Sequence, residues 1–163
     1  MLSICGLKQS LKEPGWTITE RRSVTSFRDT TKTICREVVN TQKFVIDGRL
    51  PSLNDYCKAE RTGYHCANNM KHRYQALISA YIRRSRLKPI KYPVKIIYRF
   101  YEANKRRDKD NISGIAHKFI QDALVNDGIL KDDGWDYITG FSDEFYIDRK
   151  NPRIEVTLIE ESR

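Results

Sequence analysis

No apolar run in this chain approaches the roughly 20 residues of a membrane-spanning helix. Residues 1–12, MLSICGLKQSLK, are too short and too polar to form the apolar core of a signal peptide. A cytoplasmic protein with no membrane partner is therefore expected. Cysteine is sparse and lacks a metal or disulfide rhythm: Cys5, Cys35, Cys57 and Cys66 contain no CxxC pair, which indicates reduced, structural thiols. The spacing of Cys57, His65, Cys66 and His72 matches no common zinc site. An internal repeat, a low-complexity tract and a GxxxxGK phosphate loop are also missing, so nucleotide hydrolysis has no support.

What the chain has in excess is positive charge. The formal net charge is +9 and the pI is about 9.4. Such a surface favours a polyanion, because neutralising phosphates releases condensed counterions. Nucleic acid is the first candidate partner. The charge is also concentrated, with eleven basic and two acidic residues between Arg83 and Lys109. This stretch runs into KRRDKDN (105–111), which carries Asp108 and Asp110, and a second acidic pair, Asp132 and Asp133, follows in ILKDDGW (129–135).

A length of 163 residues suits one domain with its own core. Residues 1–40 are polar and rich in Thr, Ser and Arg, with weak alternation over 16–39. They are expected to be an N-terminal extension of unknown structure, leaving 41–163 as the folded domain. A short strand is expected at 43–47, broken by Gly48 and Pro51, with Ser52 or Asn54 as a helix cap. A longer amphipathic helix follows, because Ala67, Met70, Tyr74, Leu77, Ile78, Tyr81 and Ile82 recur at helical steps; burial explains that stripe without a cofactor. Val94, Ile96, Tyr98 and Phe100 mark one face of a strand over 94–101. Ile112, Ile115, Ala116, Phe119, Ile120, Ala123 and Leu124 mark a helix over 111–126 that ends near Gly128. Strands over 137–147 and 153–160 flank DRKNP (148–152), which suits a turn between antiparallel strands. The expected class is α+β, a small mixed sheet with helices packed on it.

Asp108 and Asp110 stand two residues apart in a segment leaving a strand, and extended backbone would point both side chains the same way. They could then share one hard cation, Mg²⁺ or alternatively Mn²⁺, and a bound ion of this kind supplies what phosphodiester hydrolysis requires. Lys105, Arg106, Arg107, Lys109 and Asn111 surround the pair and could guide a phosphate backbone to it. The competing reading makes Asp108 and Asp110 a turn and a helix N-cap, and makes Asp132 and Asp133 part of a tight reversal. Spacing alone does not decide whether Asp132 and Asp133 reach Asp108.

The ordered set RRDKDN, KFIQDAL and ILKDDGWDYI resembles the RusA family of Holliday junction resolvases, whose pattern is a basic run, DxDN, a helix carrying Lys and DAL, and a closing DD. The resemblance spans about 44–160, including LPSLNDY, and leaves residues 1–40 outside. It implies a RusA-like homodimer that cleaves four-way DNA junctions with Mg²⁺ in recombination and repair. It assigns Asp108 and Asp110 as catalytic carboxylates and metal ligands, Asp133 as the third ligand and Asp132 as its neighbour. The family's catalytic Lys position falls here on Gly114; counting back from DAL gives Lys118 instead. Eight helical residues from Asp110 to Lys118 rise about 12 Å, so His117 or Lys109 is an alternative source of the cation. A two-fold pair also answers the need for two matched nicks, and Phe141, Phe145 and Tyr146 make their strand a candidate dimer surface. The rival functions are a metal-dependent nuclease for other branched DNA and a non-catalytic nucleic-acid-binding protein.

Overall fold

The computed structural model describes residues 38–91 and 93–162, and the expectations for Cys5, Cys35 and the alternation before Val38 lie outside them. The described residues form an α+β fold in the order β1 (Val38–Asp47), α1 (Leu53–Thr62), α2 (Tyr64–Arg84), β2 (Val94–Glu102), α3 (Lys109–Asn126), β3 (Ile138–Ile147) and β4 (Arg153–Glu161). The sheet is open and mixed, with strand order β1-β4-β2-β3. β4 is antiparallel to both β1 and β2, whereas β2 and β3 run parallel. A parallel pair needs a crossover, and α3 supplies it.

Period-two burial builds the central strand: Val94, Ile96, Tyr98 and Phe100 are all sealed from solvent. The seven apolar residues expected on α3 are buried with them, as are Ile78 and Ile82 of α2, and Phe44, Ile46, Val156 and Leu158 extend the same core. Phe119 is the point where the helices meet. Its ring lies 5.9 Å from that of Tyr56 on α1, edge to face, and 6.3 Å from that of Tyr74 on α2, stacked.

Three local details sharpen or change the sequence expectation. β1 begins at Val38, so 38–40 belong to the sheet, with Val38 opposite Glu161 and Asn40 opposite Glu160. The boundary expected at residue 40 cuts through a strand. The helical region is two helices: Ser52 caps α1 in a reciprocal capping box with Asp55, and Gly63, at φ 152°, separates α1 from α2 in a conformation that side chains rarely adopt. Third, DRKNP does not close a hairpin between neighbours, because β3 and β4 lie on opposite sides of β2. The segment crosses the end of β2, where the Asp148 N–H donates to the Glu102 carbonyl at 2.8 Å. Asp148 Oδ1 in turn accepts from the N–H groups of Lys150 and Asn151, each at 3.1 Å.

Candidate functional site

The parallel strands β2 and β3 end side by side at Glu102 and Ile147, and α3 begins just beyond them. Carboxyl ends of parallel strands are where open α/β sheets place their ligand crevices. A cleft of about 600 Å³ lies here, with Glu102 and Asp108 among its lining residues, Lys105, Arg107 and Lys109 as its basic members, and Ile112, Phe145 and Ile147 as apolar members.

Asp108 is the N-cap residue of α3, in extended backbone, yet its side chain does not cap the helix. Its carboxylate is exposed and accepts only a long 3.4 Å bond from Asn111 Nδ2. Asp110 lies within the first turn of α3, also exposed. This corrects the geometry expected for the pair: Asp110 is helical, so a shared strand face does not align it with Asp108. What they share is one helix end, where the macrodipole favours negative charge. Lys105 and Lys109 are exposed beside them, and the Lys109 ammonium sits 5.4 Å from the Phe145 ring centroid. Arg106 is exposed, and its backbone N–H donates to Asn104 Oδ1 at 3.0 Å.

Arg107 has a different position from its neighbours. Its Nη1 donates to the Leu50 carbonyl at 2.9 Å and its Nη2 to Glu102 Oε1 at 3.1 Å, which ties the β1–α1 connection to the end of β2. Arg49 Nη1 stands 3.6 Å from Glu102 Oε2, an ion pair too long to be a hydrogen bond. Glu102 Oε2 and Arg107 Nε are buried without a hydrogen-bond partner. A guanidinium held on these two sides joins the walls of the cleft. Sequence reasoning missed Glu102 altogether. The signal was present in the alternation Val94, Ile96, Tyr98, Phe100, Glu102, which put a carboxylate on the buried face.

Asp132 and Asp133 are exposed in the turn that leads into β3, at the far end of the crossover from Asp108. The 18 residues of α3 cover about 27 Å at 1.5 Å per residue, and the chain beyond α3 returns to the start of β2. There Ile90 N–H donates to the Ile129 carbonyl, and Val94 N–H to the Tyr137 carbonyl, both at 2.8 Å. One chain therefore brings Asp108 and Asp110 together but not Asp132 or Asp133. Among the described residues, no group of three His, Cys, Asp or Glu side chains is close enough to hold a metal.

Lys118 is exposed on α3, two turns beyond the carboxylates. His117, seven residues after Asp110, falls on nearly the same helix face, with Gly114 between them. Its Nε2 lies 2.7 Å from Asp143 Oδ1 on β3, and its ring stacks on Tyr98 at 4.3 Å and meets Phe141 edge-on at 4.7 Å. His117 is thus the residue with an orienting partner, and Lys118 the one without a contact that fixes its head. Neither a protein-family model nor a curated protein matches the chain. No helix among the described residues is long and apolar enough to cross a membrane.

Proposed function

We propose that the protein is a metal-dependent endodeoxyribonuclease of the RusA type that acts on four-way DNA junctions as a homodimer. The observation that carries this reading is the placement of Asp108 and Asp110 at one helix end beside a cleft with basic members. Carboxylates inside the most basic surface weaken phosphate binding unless a cation offsets them. Asp108 fits such a cation because its hard oxygens are neither capping the helix nor held by a short bond. Two carboxylates suffice for Mg²⁺ or Mn²⁺, which keep waters and take phosphate oxygens for their remaining positions. The bound ion supplies Lewis-acid activation of the phosphodiester.

The protein's own residues supply the rest. Lys105, Arg106 and Lys109 attract and register the DNA backbone, and Asn111 Nδ2, in the first turn of α3, faces Asp108 at 3.4 Å. Arg107 and Glu102 keep the cleft wall in place. His117, whose Nε2 lies 2.7 Å from Asp143 Oδ1, offers a positioned imidazole two turns from the carboxylates, beside the Lys118 that the resemblance implies. The dimer fits the free outer edge of β3, which has no strand neighbour among the described residues. An antiparallel apposition of two β3 edges sets Ile138 of one copy near Ile147 of the other. The partner's Asp132 and Asp133 then approach the cleft of Asp108, which no single chain allows.

The basic members of the cleft equally suit a second reading, a non-catalytic binder of branched DNA. One experiment separates them. Wild type and Asp110→Asn are assayed on four-way, flap and linear DNA, with and without Mg²⁺, at one salt concentration. The proposal expects wild type to cut junctions only with the metal and Asp110→Asn to bind without cutting. A wild type that binds junctions and never cuts them selects the second reading.

A further inference from the structure

We infer that the outward face of α2, with the loop that follows it, is a second nucleic-acid contact, which holds a DNA duplex arm by its phosphate backbone outside the cleft. The inference rests on the nucleic-acid part of the proposed function and not on cleavage. Residues 61–101 include ten Lys or Arg and no Asp or Glu, in a chain that has 21 acidic residues among its 163. A helix face that merely stays in water ordinarily carries both signs, paired at i and i+4. All of α2 falls inside this acid-free stretch. Its buried side carries Ala67, Gln75, Ile78 and Ile82, while Asn69, Arg73, Ala76, Ala80 and Arg84 form the opposite side and are exposed. A phosphate backbone therefore meets no carboxylate along the helix, and the two alanines let it come close.

Carboxylates on neighbouring elements leave this face positive. Asp122 and Asp127 of α3 are engaged by Lys71 at 2.9 Å and by Arg83 at 2.8 Å, and Asp47 shares a groove with two cations, Lys43 and Arg84. Asp132, Asp133 and Asp136 precede β3, at the opposite edge of the sheet from β1. The loop after α2 is firmly held. Gln42 Nε2 donates to the Lys88 carbonyl at 3.0 Å, and Gln42 Oε1 accepts from the Lys88 N–H at 2.6 Å. Arg86, exposed in this loop, has φ 53°, the left-handed conformation that a helix stop ordinarily gives to Gly. An arginine kept there against its backbone preference points to a use for its charge. Length favours a rod-like polyanion. Met70 and Tyr74 line a pocket with Arg107 of the cleft wall, so α2 starts near the cleft, and its 21 residues run about 31 Å to the loop. One turn of B-DNA is about 34 Å, so a duplex laid along α2 offers the same backbone to both ends of the row.

The test uses the full chain and reads binding by fluorescence anisotropy with EDTA present, so that cutting plays no part. The probes are a four-way junction and a linear duplex. Ala80→Glu puts a carboxylate in the middle of the face; it is expected to unfold in urea like wild type and to bind both DNAs about fivefold or more weakly at low salt. Ala80→Gln, of the same size without the charge, is expected to lose much less. Arg86→Gly is expected to raise the urea midpoint by releasing the left-handed backbone, and yet to weaken binding and reduce the slope of log affinity against log salt by about 0.9. A merely structural arginine does not give that opposite pair of signs. Ala80→Glu binding like wild type, or Ala80→Gln losing as much as Ala80→Glu, overturns the inference, as does an Arg86→Gly protein that gains stability with binding unchanged. A wild type that binds phosphatidylserine vesicles and neither DNA transfers the face to a membrane, and removes the proposed function with it. A wild type that needs α2 to bind DNA and never cuts it upholds this inference and removes the nuclease reading alone.

Discussion

Replacing Arg107 by Met separates a structural guanidinium from a DNA contact. Arg107 retains 21 % side-chain exposure and Glu102 only 7 %, so the substitution leaves a buried carboxylate facing one remaining cation, Arg49, at 3.6 Å. Removing one partner of a buried pair costs about 3–5 kcal/mol. The partial exposure of Arg107 and the compensation by Arg49 reduce this to about 2–3 kcal/mol, including the bond lost at the Leu50 carbonyl. For a domain of this length, that lowers Tm by about 5–10 °C. Adding Glu102→Gln removes the stranded charge and returns about 1 kcal/mol or more, so the two substitutions are expected to be non-additive. Urea unfolding of the wild type, both single variants and the double variant measures the cycle. If Arg107→Met leaves the urea midpoint unchanged and abolishes DNA binding, the residue is a phosphate contact and its assigned role in the cleft wall is wrong.

Lys105→Gln and Lys109→Gln should leave unfolding nearly unchanged and each reduce the slope of log affinity against log salt by about 0.9, as checked by junction-binding titrations at several salt concentrations. Gly114→Ala should stabilise the protein by about 1 kcal/mol in urea unfolding, because Gly114 lies inside α3 and an added Cβ meets nothing within 4 Å. Ser52→Ala should destabilise by about 1 kcal/mol through loss of the α1 cap. Hydrogen bonds from the Ser52 side chain and backbone hold the Asp55 carboxyl below its ordinary range. That contribution is present above the unfolded pKa and disappears as pH falls through the lowered folded one, so an NMR titration should show the Asp55 midpoint rising in Ser52→Ala.

β2 and α3 were legible because burial imposes a period on adjacent residues: Val94, Ile96, Tyr98 and Phe100 alternate, and Ile112 to Leu124 step by three and four. The stripe from Ala67 to Ile82 marked α2, whereas α1 buries no residue fully, so its cap was legible in the sequence and its extent was not. The neighbours of β3 and β4 were not legible, since strand pairing is nonlocal and DRKNP has the same turn chemistry whether it closes a hairpin or steps over β2. Within the site, residue types were readable and distances only partly so. The DxDN motif marked the helix end, but the extended-strand rationale for Asp110 failed because the first turn of α3 begins one residue earlier, at Lys109. Asp132 and Asp133 stand in the order that the resemblance to the RusA pattern implies, while the rise of α3 carries them to the opposite end of the sheet.

The most direct measurement is an NMR titration of the full chain with Mg²⁺, repeated with paramagnetic Mn²⁺, in wild type and in Asp108→Asn with Asp110→Asn. Mn²⁺ broadening is expected to centre on Asp108, Asp110 and Asn111, to reach the backbone of Asp132 and Asp133 only where the protein is dimeric, and to be absent from the double variant. Broadening elsewhere, or equal broadening in the double variant, would contradict the assignment of the α3 N-terminus as the cation site.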